Sequence, residues 1–258
     1  MYIYKQGNRE NLSHKILTED APFAIREAFN LLRTNLMYTM THSGGDAPIY
    51  AVTSTNENAG KSTVIANLAL AFAQLDKKVL LIDGDMRCPV IHKHFNIDSH
   101  KNGLSELISG IKDDVTIKDV CPNLDVITSG RIPPNPSELL MGPRFVEYVE
   151  KWKKEYDIIF IDFPPIGIVT DAIVNCNSIT GYIFVVRSGQ NSAKEISASI
   201  STLEQVGAKI VGIVLNDYNI KGSGKYRYRY RRGASHYSKK VTSGYEQAAE
   251  NKKSEASE

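Results

Sequence analysis

The sequence predicts an α/β fold, a mostly parallel sheet covered by helices on both faces and followed by a disordered C-terminal tail. Three observations point there. Short apolar runs recur, each followed by a stretch of helical periodicity, which is the pattern of parallel strands with crossover helices. A Gly60-Lys61-Ser62-Thr63 turn separates the first run from its helix, and two later runs end in aspartate.

The predicted strands are Ile49 to Thr53, Val79 to Ile82, Leu124 to Thr128, Ile158 to Ile161, Tyr182 to Val186 and Ile210 to Leu215. Their near-continuous Val, Ile and Leu content implies burial on both faces. Helices are predicted at roughly Lys61 to Gln74, Gly103 to Ser109, Pro143 to Tyr156, Asp171 to Asn177 and Ser192 to Val206. A further helix, Pro22 to Thr41, precedes the first strand and carries Ala24, Phe29, Leu32 and Leu36 at core-facing spacing. After Asn219 the periodicity stops at Gly222, Ser223 and Gly224 and does not return. The expected organisation is an N-terminal extension over 1–20, one domain over 21–220 and a tail over 221–258.

The 258 residues carry a net charge of only +2, which as an average points to neither a nucleic-acid nor a membrane binder. The distribution says more. Residues 221–258 hold ten Lys and Arg against four Glu, a net +6, which leaves the rest at −4. Cys88, Cys121 and Cys176 form no CxxC pair and are odd in number, so neither a disulfide framework nor a zinc site is suggested. No run of eighteen apolar residues and no hydrophobic leader occurs, so a soluble, cytoplasmic chain is expected.

Reading back from Lys61, the loop is Thr55-Asn56-Glu57-Asn58-Ala59-Gly60-Lys61-Ser62, the GxxxxGK[ST] pattern with Thr55 at its first glycine. A strand before it and a helix after it complete the context of a P-loop NTPase. Backbone N–H groups over Asn58, Ala59, Gly60, Lys61, Ser62 and Thr63 would cradle phosphate at the helix N-terminus. Lys61 would reach the β- and γ-phosphates of ATP, and the Ser62 hydroxyl would ligate Mg²⁺. Asn58 stands where glycine is usual, and Asn tolerates positive φ better than other side chains.

Val79 to Asp83 and Ile158 to Asp162 are apolar strands that end in carboxylates, placing Asp83, Asp85 and Asp162 at the edge where ligands of open α/β sheets bind. Asp162 has the position of a Walker B magnesium residue. Of the other two, Asp83 is the candidate base for an attacking hydroxyl and Asp85 the one nearer the metal. A single Asp after a strand is more often a cap or turn residue; three of them downstream of the loop outweigh that reading. Asn216, at the end of the last strand, is a candidate adenine contact or an ordinary turn residue.

Four stretches together resemble the bacterial protein tyrosine kinases, which use a P-loop fold. They are the loop Thr53 to Thr63, the doubled-Asp segment Leu81 to Pro89, Asp157 to Pro165, and Pro133-Pro134-Asn135-Pro136-Ser137-Glu138-Leu139-Leu140. The resemblance implies a protein-tyrosine autokinase that uses ATP and Mg²⁺ and controls capsule or exopolysaccharide assembly. It implies autophosphorylation of a C-terminal cluster, here Tyr226, Tyr228, Tyr230, Tyr237 and Tyr245, five of the thirteen tyrosines. It implies the form of the family whose catalytic domain is a separate cytoplasmic protein, recruited to the inner face of the membrane by a transmembrane adaptor and opposed by a cognate phosphatase. Family members form ring-shaped homo-oligomers through an ExxRxxR motif, which corresponds here to Glu27, Asn30 and Arg33, with Asn30 at the place of the central Arg.

Independently of the resemblance, a flexible segment of about twenty residues spans roughly 25 Å, enough to visit an active site. Each phosphotyrosine adds about −1.5 to −2 charge, so five would carry the tail from +6 to about −1.5 to −4. Two other function classes remain open at this point. A partition or division-site ATPase shares the fold, but its signature lysine is Asn56 here, and a tyrosine cluster is foreign to it. An ATP-binding scaffold would not need Lys61, Ser62, Asp83, Asp85 and Asp162 all intact. Alternating Tyr and Arg over Lys225 to Arg232 can also stack on bases and neutralise phosphates, although no specific nucleic acid is expected.

Overall fold

The computed structural model describes residues 16–17, 21–40, 46–98 and 102–218. Seven strands form one sheet: β1 (Ile49–Ser54), β2 (Val79–Asp83), β3 (Ile117–Cys121), β4 (Leu124–Ile127), β5 (Ile158–Asp162), β6 (Gly181–Arg187) and β7 (Ile210–Asn216). Their order across the sheet is β3-β4-β2-β5-β1-β6-β7, and every pair is parallel except β3 with β4. The helices are α1 (Phe23–Met40), α2 (Lys61–Ala73), α3 (Ile91–His94), α4 (Leu104–Ile108), α5 (Pro136–Met141), α6 (Pro143–Glu155) and α7 (Ala193–Gln205).

Every residue of β1, β2 and β5 is buried, which is why these strands read as unbroken apolar runs. Alternation along each strand splits them between two cores. Ala51, Leu80, Ile82, Ile159 and Ile161 pack with Phe145, Val149 and Trp152 of α6 and Leu203 of α7. Tyr50, Val52, Leu81, Ile158 and Phe160 pack with Val64, Ile65, Leu68 and Phe72 of α2. Both faces are therefore helix-covered, as the composition requires.

Four expectations change. The last strand, β7, is not buried on both faces: it lies at the edge of the sheet, with Ile213 and Leu215 more than half exposed. The edge strand β3 and the short helices α3 and α5 were not foreseen as elements. β3 alternates poorly, because Lys118 and Asp119 are exposed and a register irregularity falls between Ile117 and Cys121. It is held by long-range polar contacts: Lys118 Nζ donates to Asp125 at 3.0 Å and to Tyr156 Oη at 2.9 Å, and Tyr156 donates to Asp125 at 2.7 Å.

The predicted helix over Asp171 to Asn177 is absent; the chain there runs through turns into a 3-10 turn at Cys176–Ser178. Its backbone closes i to i+3 bonds, Ile173 N–H to the Thr170 carbonyl and Cys176 N–H to the Ile173 carbonyl. The Ala172 carbonyl, which an α-helix would give to Cys176, accepts from Tyr182 Oη at 2.6 Å.

In α1 only Leu36 is buried. Leu32 packs partly on the α2-side core, Phe29 is half-buried, and Ala24 is exposed, so its inward stripe is shorter than the spacing implied.

Candidate functional site

Parallel register brings the acidic strand ends together. Val52 of β1 pairs with Asp162 of β5, and Asp162 pairs with Asp83 of β2. Side chains paired in this way share a face, and the alternation from Leu81 and Phe160 puts Asp83 and Asp162 on the α2 side. Lys61 opens α2 and is 7% exposed, and among the described residues its ammonium has no hydrogen-bond or ion-pair partner. Ser62 follows it.

The loop between β1 and α2 has the backbone that phosphate cradling needs. Asn58 takes φ 58°, as its tolerance for the left-handed region allows, and Gly60 takes φ 90°. Gly60 is the N-cap of α2 and offers no side chain, and the first loop-to-helix bond is Val64 N–H to the Gly60 carbonyl at 2.9 Å. The N–H groups at the start of α2 have no intrahelical partner and no cap, so they are available to an anion. The buried Thr55 hydroxyl, at the place of the pattern's first glycine, is also unpartnered.

Three carbonyls of this loop are gripped from behind. Gln190 Nε2 donates to the Glu57 carbonyl at 2.6 Å, Arg187 Nη1 to the Asn58 carbonyl at 3.4 Å and Asn216 Nδ2 to the Ala59 carbonyl at 2.9 Å. Arg187 is itself held by Asp217 at 2.8 and 3.0 Å. Turning the carbonyls outward commits the intervening N–H groups to the other side. Asn216 is thus placed against the loop.

The carboxylates are electrostatically stressed. Asp162 is fully buried, and neither oxygen has a hydrogen-bond partner. Burial raises its pKa to about 7; Lys61 and the nearby Ser62 hydroxyl, which does not close a hydrogen bond in the geometry, oppose the shift, and Asp85 adds to it. Asp83 is pushed well above the usual carboxylate range, first by burial, then by Asp162. Its Oδ2 accepts from Val90 N–H at 3.2 Å and Ile91 N–H at 3.0 Å, while Oδ1 is unpartnered. Asp85 Oδ1 accepts from Cys88 N–H at 2.9 Å and Arg87 N–H at 3.3 Å. Between them Gly84 crosses the end of β5 so closely that a Cβ would sit 3.0 Å from the Asp162 carbonyl.

Orphaned buried carboxylate oxygens that disfavour their own ionisation are relieved by a divalent cation. Among the described residues no three His, Cys, Asp or Glu side chains are placed to hold a metal by themselves. A magnesium ion here would be shared with the Ser62 hydroxyl, water and nucleotide phosphate, which is how that ion is usually bound. The residues present therefore fit a magnesium nucleotide.

The structure brings Lys61, Ser62, Asp83, Asp85 and Asp162 to one sheet edge, with Asn58, Ala59, Gly60 and Thr63 in the adjoining loop and helix start. Glu27, Asn30 and Arg33 lie apart on α1: Asn30 Nδ2 donates to Glu27 at 2.8 Å, and Arg33 Nη1 donates to the Ala71 carbonyl of α2 at 2.8 Å. Tyr226, Tyr228, Tyr230, Tyr237 and Tyr245 lie outside the described residues. Sequence reasoning missed Arg187, Gln190 and Asp217, which carry no motif. It also missed a knot of Arg87, Ser137 and Asp171, although Arg87 and Ser137 sit inside stretches singled out for their pattern.

Residues 50–232 match the CbiA family, the CobQ/CobB/MinD/ParA nucleotide binding domain. The chain is 39% identical over 195 residues to the tyrosine-protein kinase CpsD of Streptococcus agalactiae serotype III, covering 75% of this chain and 82% of that one. Two solved structures superpose with a TM-score of 0.72 at 38% identity. One is the chimerical protein CapA2B2, with 78% of this chain and 88% of that chain covered. The other is the kinase domain of the Escherichia coli tyrosine kinase ETK, with 77% of each covered.

Proposed function

Because this chain belongs to the bacterial tyrosine-protein kinases built on a MinD/ParA-type nucleotide-binding domain, we propose that its acceptors are the phenols of its own C-terminal segment. The observation that carries the reading is the pairing of Asp83 with Asp162, whose buried oxygens lack hydrogen-bond partners and feel the charge of Lys61, next to a sequence whose end holds five tyrosines. The domain spans 21–220 in this reading, with an extension before it and the basic tail over 221–258.

Loop N–H groups over Asn58 to Thr63, with Lys61, hold the phosphates of ATP and stabilise charge on the transferring group. Ser62, Asp85 and Asp162 are the residues that would hold Mg²⁺, which supplies a compensating divalent charge. The phenolic oxygen attacks the γ-phosphorus in line, the bond to the β,γ-bridging oxygen breaks, and ADP leaves. Asp83 accepts the phenolic proton through Oδ1, the carboxylate oxygen left without a hydrogen-bond partner. Asn216 sets the loop that the nucleotide meets.

The physiological reading is control of capsule or exopolysaccharide assembly, with a separate transmembrane adaptor, self-association through α1 and a cognate phosphatase as partners. Among the described residues no helix is long and apolar enough to cross a membrane, which is compatible with recruitment by such an adaptor. Phosphorylation inverts the sign of the tail's charge and so releases it from acidic surfaces.

Incubation of the purified chain with γ-labelled ATP and Mg²⁺, with and without the adaptor, followed by phosphosite mapping, tests the proposal. Label confined to Tyr226, Tyr228, Tyr230, Tyr237 and Tyr245 is the expected result. Tyrosine label absent under every condition would leave a nucleotide-binding scaffold.

A further inference from the structure

Three distant segments meet at a buried carboxylate beside the site. Asp171 is wholly inaccessible, yet Arg87 Nε donates to its Oδ2 at 2.9 Å and Arg87 Nη2 to its Oδ1 at 3.0 Å. The Ser137 hydroxyl donates to the same Oδ1 at 2.5 Å and lies 3.4 Å from Arg87 Nη2. A buried charge is costly unless paired and hydrogen-bonded, and Asp171 has both kinds of partner. Its own segment is turns, tied down by Tyr182 through the Ala172 carbonyl.

What the carboxylate grips matters more than that it is satisfied. Arg87 lies two residues after Asp85, and the N–H groups of Arg87 and Cys88 hold Asp85 Oδ1. Fixing the guanidinium therefore fixes the backbone that orients Asp85. The charge of Asp85 is felt by both Asp83 and Asp162. Ser137, on the second residue of α5, ties the proline-rich segment before that helix to the same point.

We propose that Asp171 is a positioning residue for phosphoryl transfer, acting through Arg87 on the Asp85 carboxylate and through Ser137 on the segment Pro133 to Pro136. The proposal rests on the placement of Asp85 in the magnesium-phosphate site. A bidentate Arg–carboxylate pair suits this task because it sets an orientation and not only a distance.

The test is steady-state tyrosine phosphorylation by the full chain, with fluorescent-ADP affinity measured alongside, for wild type, Asp171→Asn, Arg87→Gln and the double variant. Each single variant should lower kcat at least ten-fold with KM for ATP and ADP affinity within three-fold, and the double should be no worse than the poorer single. A kcat for Asp171→Asn within two-fold of wild type overturns the proposal, and so do independent, multiplying losses. Should Asp171→Asn fail to fold by circular dichroism, Ser137→Ala and Ser137→Thr decide. Loss of kcat in the first with recovery in the second supports the role, and equal rates in both overturn it. A wild-type chain that labels no tyrosine would sink the function reading instead, and ATP hydrolysis in the same variants would then decide this one by the same criteria.

Discussion

Asn216, the last residue of β7, donates its side-chain amide to the Ala59 carbonyl at 2.9 Å, across 157 residues of chain. That bond joins the sheet edge to the phosphate loop. Its loss should leave the fold intact and loosen the loop. Asn216→Ala is expected to weaken nucleotide binding by about five-fold, from ~1 kcal/mol for a neutral hydrogen bond. A fluorescent-ADP titration reads this directly, and an unchanged affinity would remove Asn216 from the loop's support.

Gly60 faces the same side chain. A Cβ there would lie 2.1 Å from Asn216 Nδ2, at a φ of 90°. Gly60→Ala should therefore cost about 1–2 kcal/mol of stability from the left-handed backbone alone and displace Asn216 as well. Both effects are measurable, the first by urea denaturation and the second as loss of nucleotide binding beyond that of Asn216→Ala.

The pH behaviour of the unliganded chain should betray Asp162. Between about pH 4 and pH 7 the folded chain holds a proton there that the unfolded chain has released, so this group makes stability fall as pH rises through that window. Asp162→Asn removes this group's part of the effect and leaves that of Asp83, whose pKa burial also raises. Without nucleotide, the variant should melt about 5 °C above wild type at pH 8, from ~2 kcal/mol, with the gap closing towards pH 5. Magnesium nucleotide should reverse the order, stabilising the wild type more than a variant that keeps the loop and Lys61 but lacks one magnesium residue. A constant gap across pH would contradict the raised pKa.

Tyr182 donates its buried hydroxyl to the Ala172 carbonyl at 2.6 Å. Tyr182→Phe leaves that carbonyl without a donor and should cost about 1–2 kcal/mol, seen as a lower denaturation midpoint. Kinase activity should fall with it, because the segment carrying Asp171 loses its anchor.

How much of this was legible in the sequence depended on where the cause lay. β1, β2 and β5 could be read because burial on both faces writes itself as an apolar run. β3 could not, because an edge strand needs little apolar content and its hold on the domain comes through Lys118, Asp125 and Tyr156, which converge only in space. Asp171 to Asn177 has apolar residues at helical spacing, but Tyr182 takes the Ala172 carbonyl that a helix would need, and Arg87 pins the Asp171 side chain from a distant segment. Within the site, Lys61 and Ser62 open α2, Asp83 and Asp162 end β2 and β5, and Asp85 lies two residues beyond β2, so their chemistry is local to a motif. Arg187 and Gln190 reach the loop from 129 and 133 residues away to touch only carbonyls, which any sequence supplies.

The most direct test of the whole account concerns one ammonium group. Lys61→Met keeps the length of the side chain and removes its charge beside Asp162 and the loop. Self-labelling on tyrosine with γ-labelled ATP and Mg²⁺ should fall at least 100-fold while the protein stays folded, as expected for a main source of transition-state charge stabilisation. Undiminished labelling of the C-terminal tyrosines by that variant, purified free of other kinases, would contradict it.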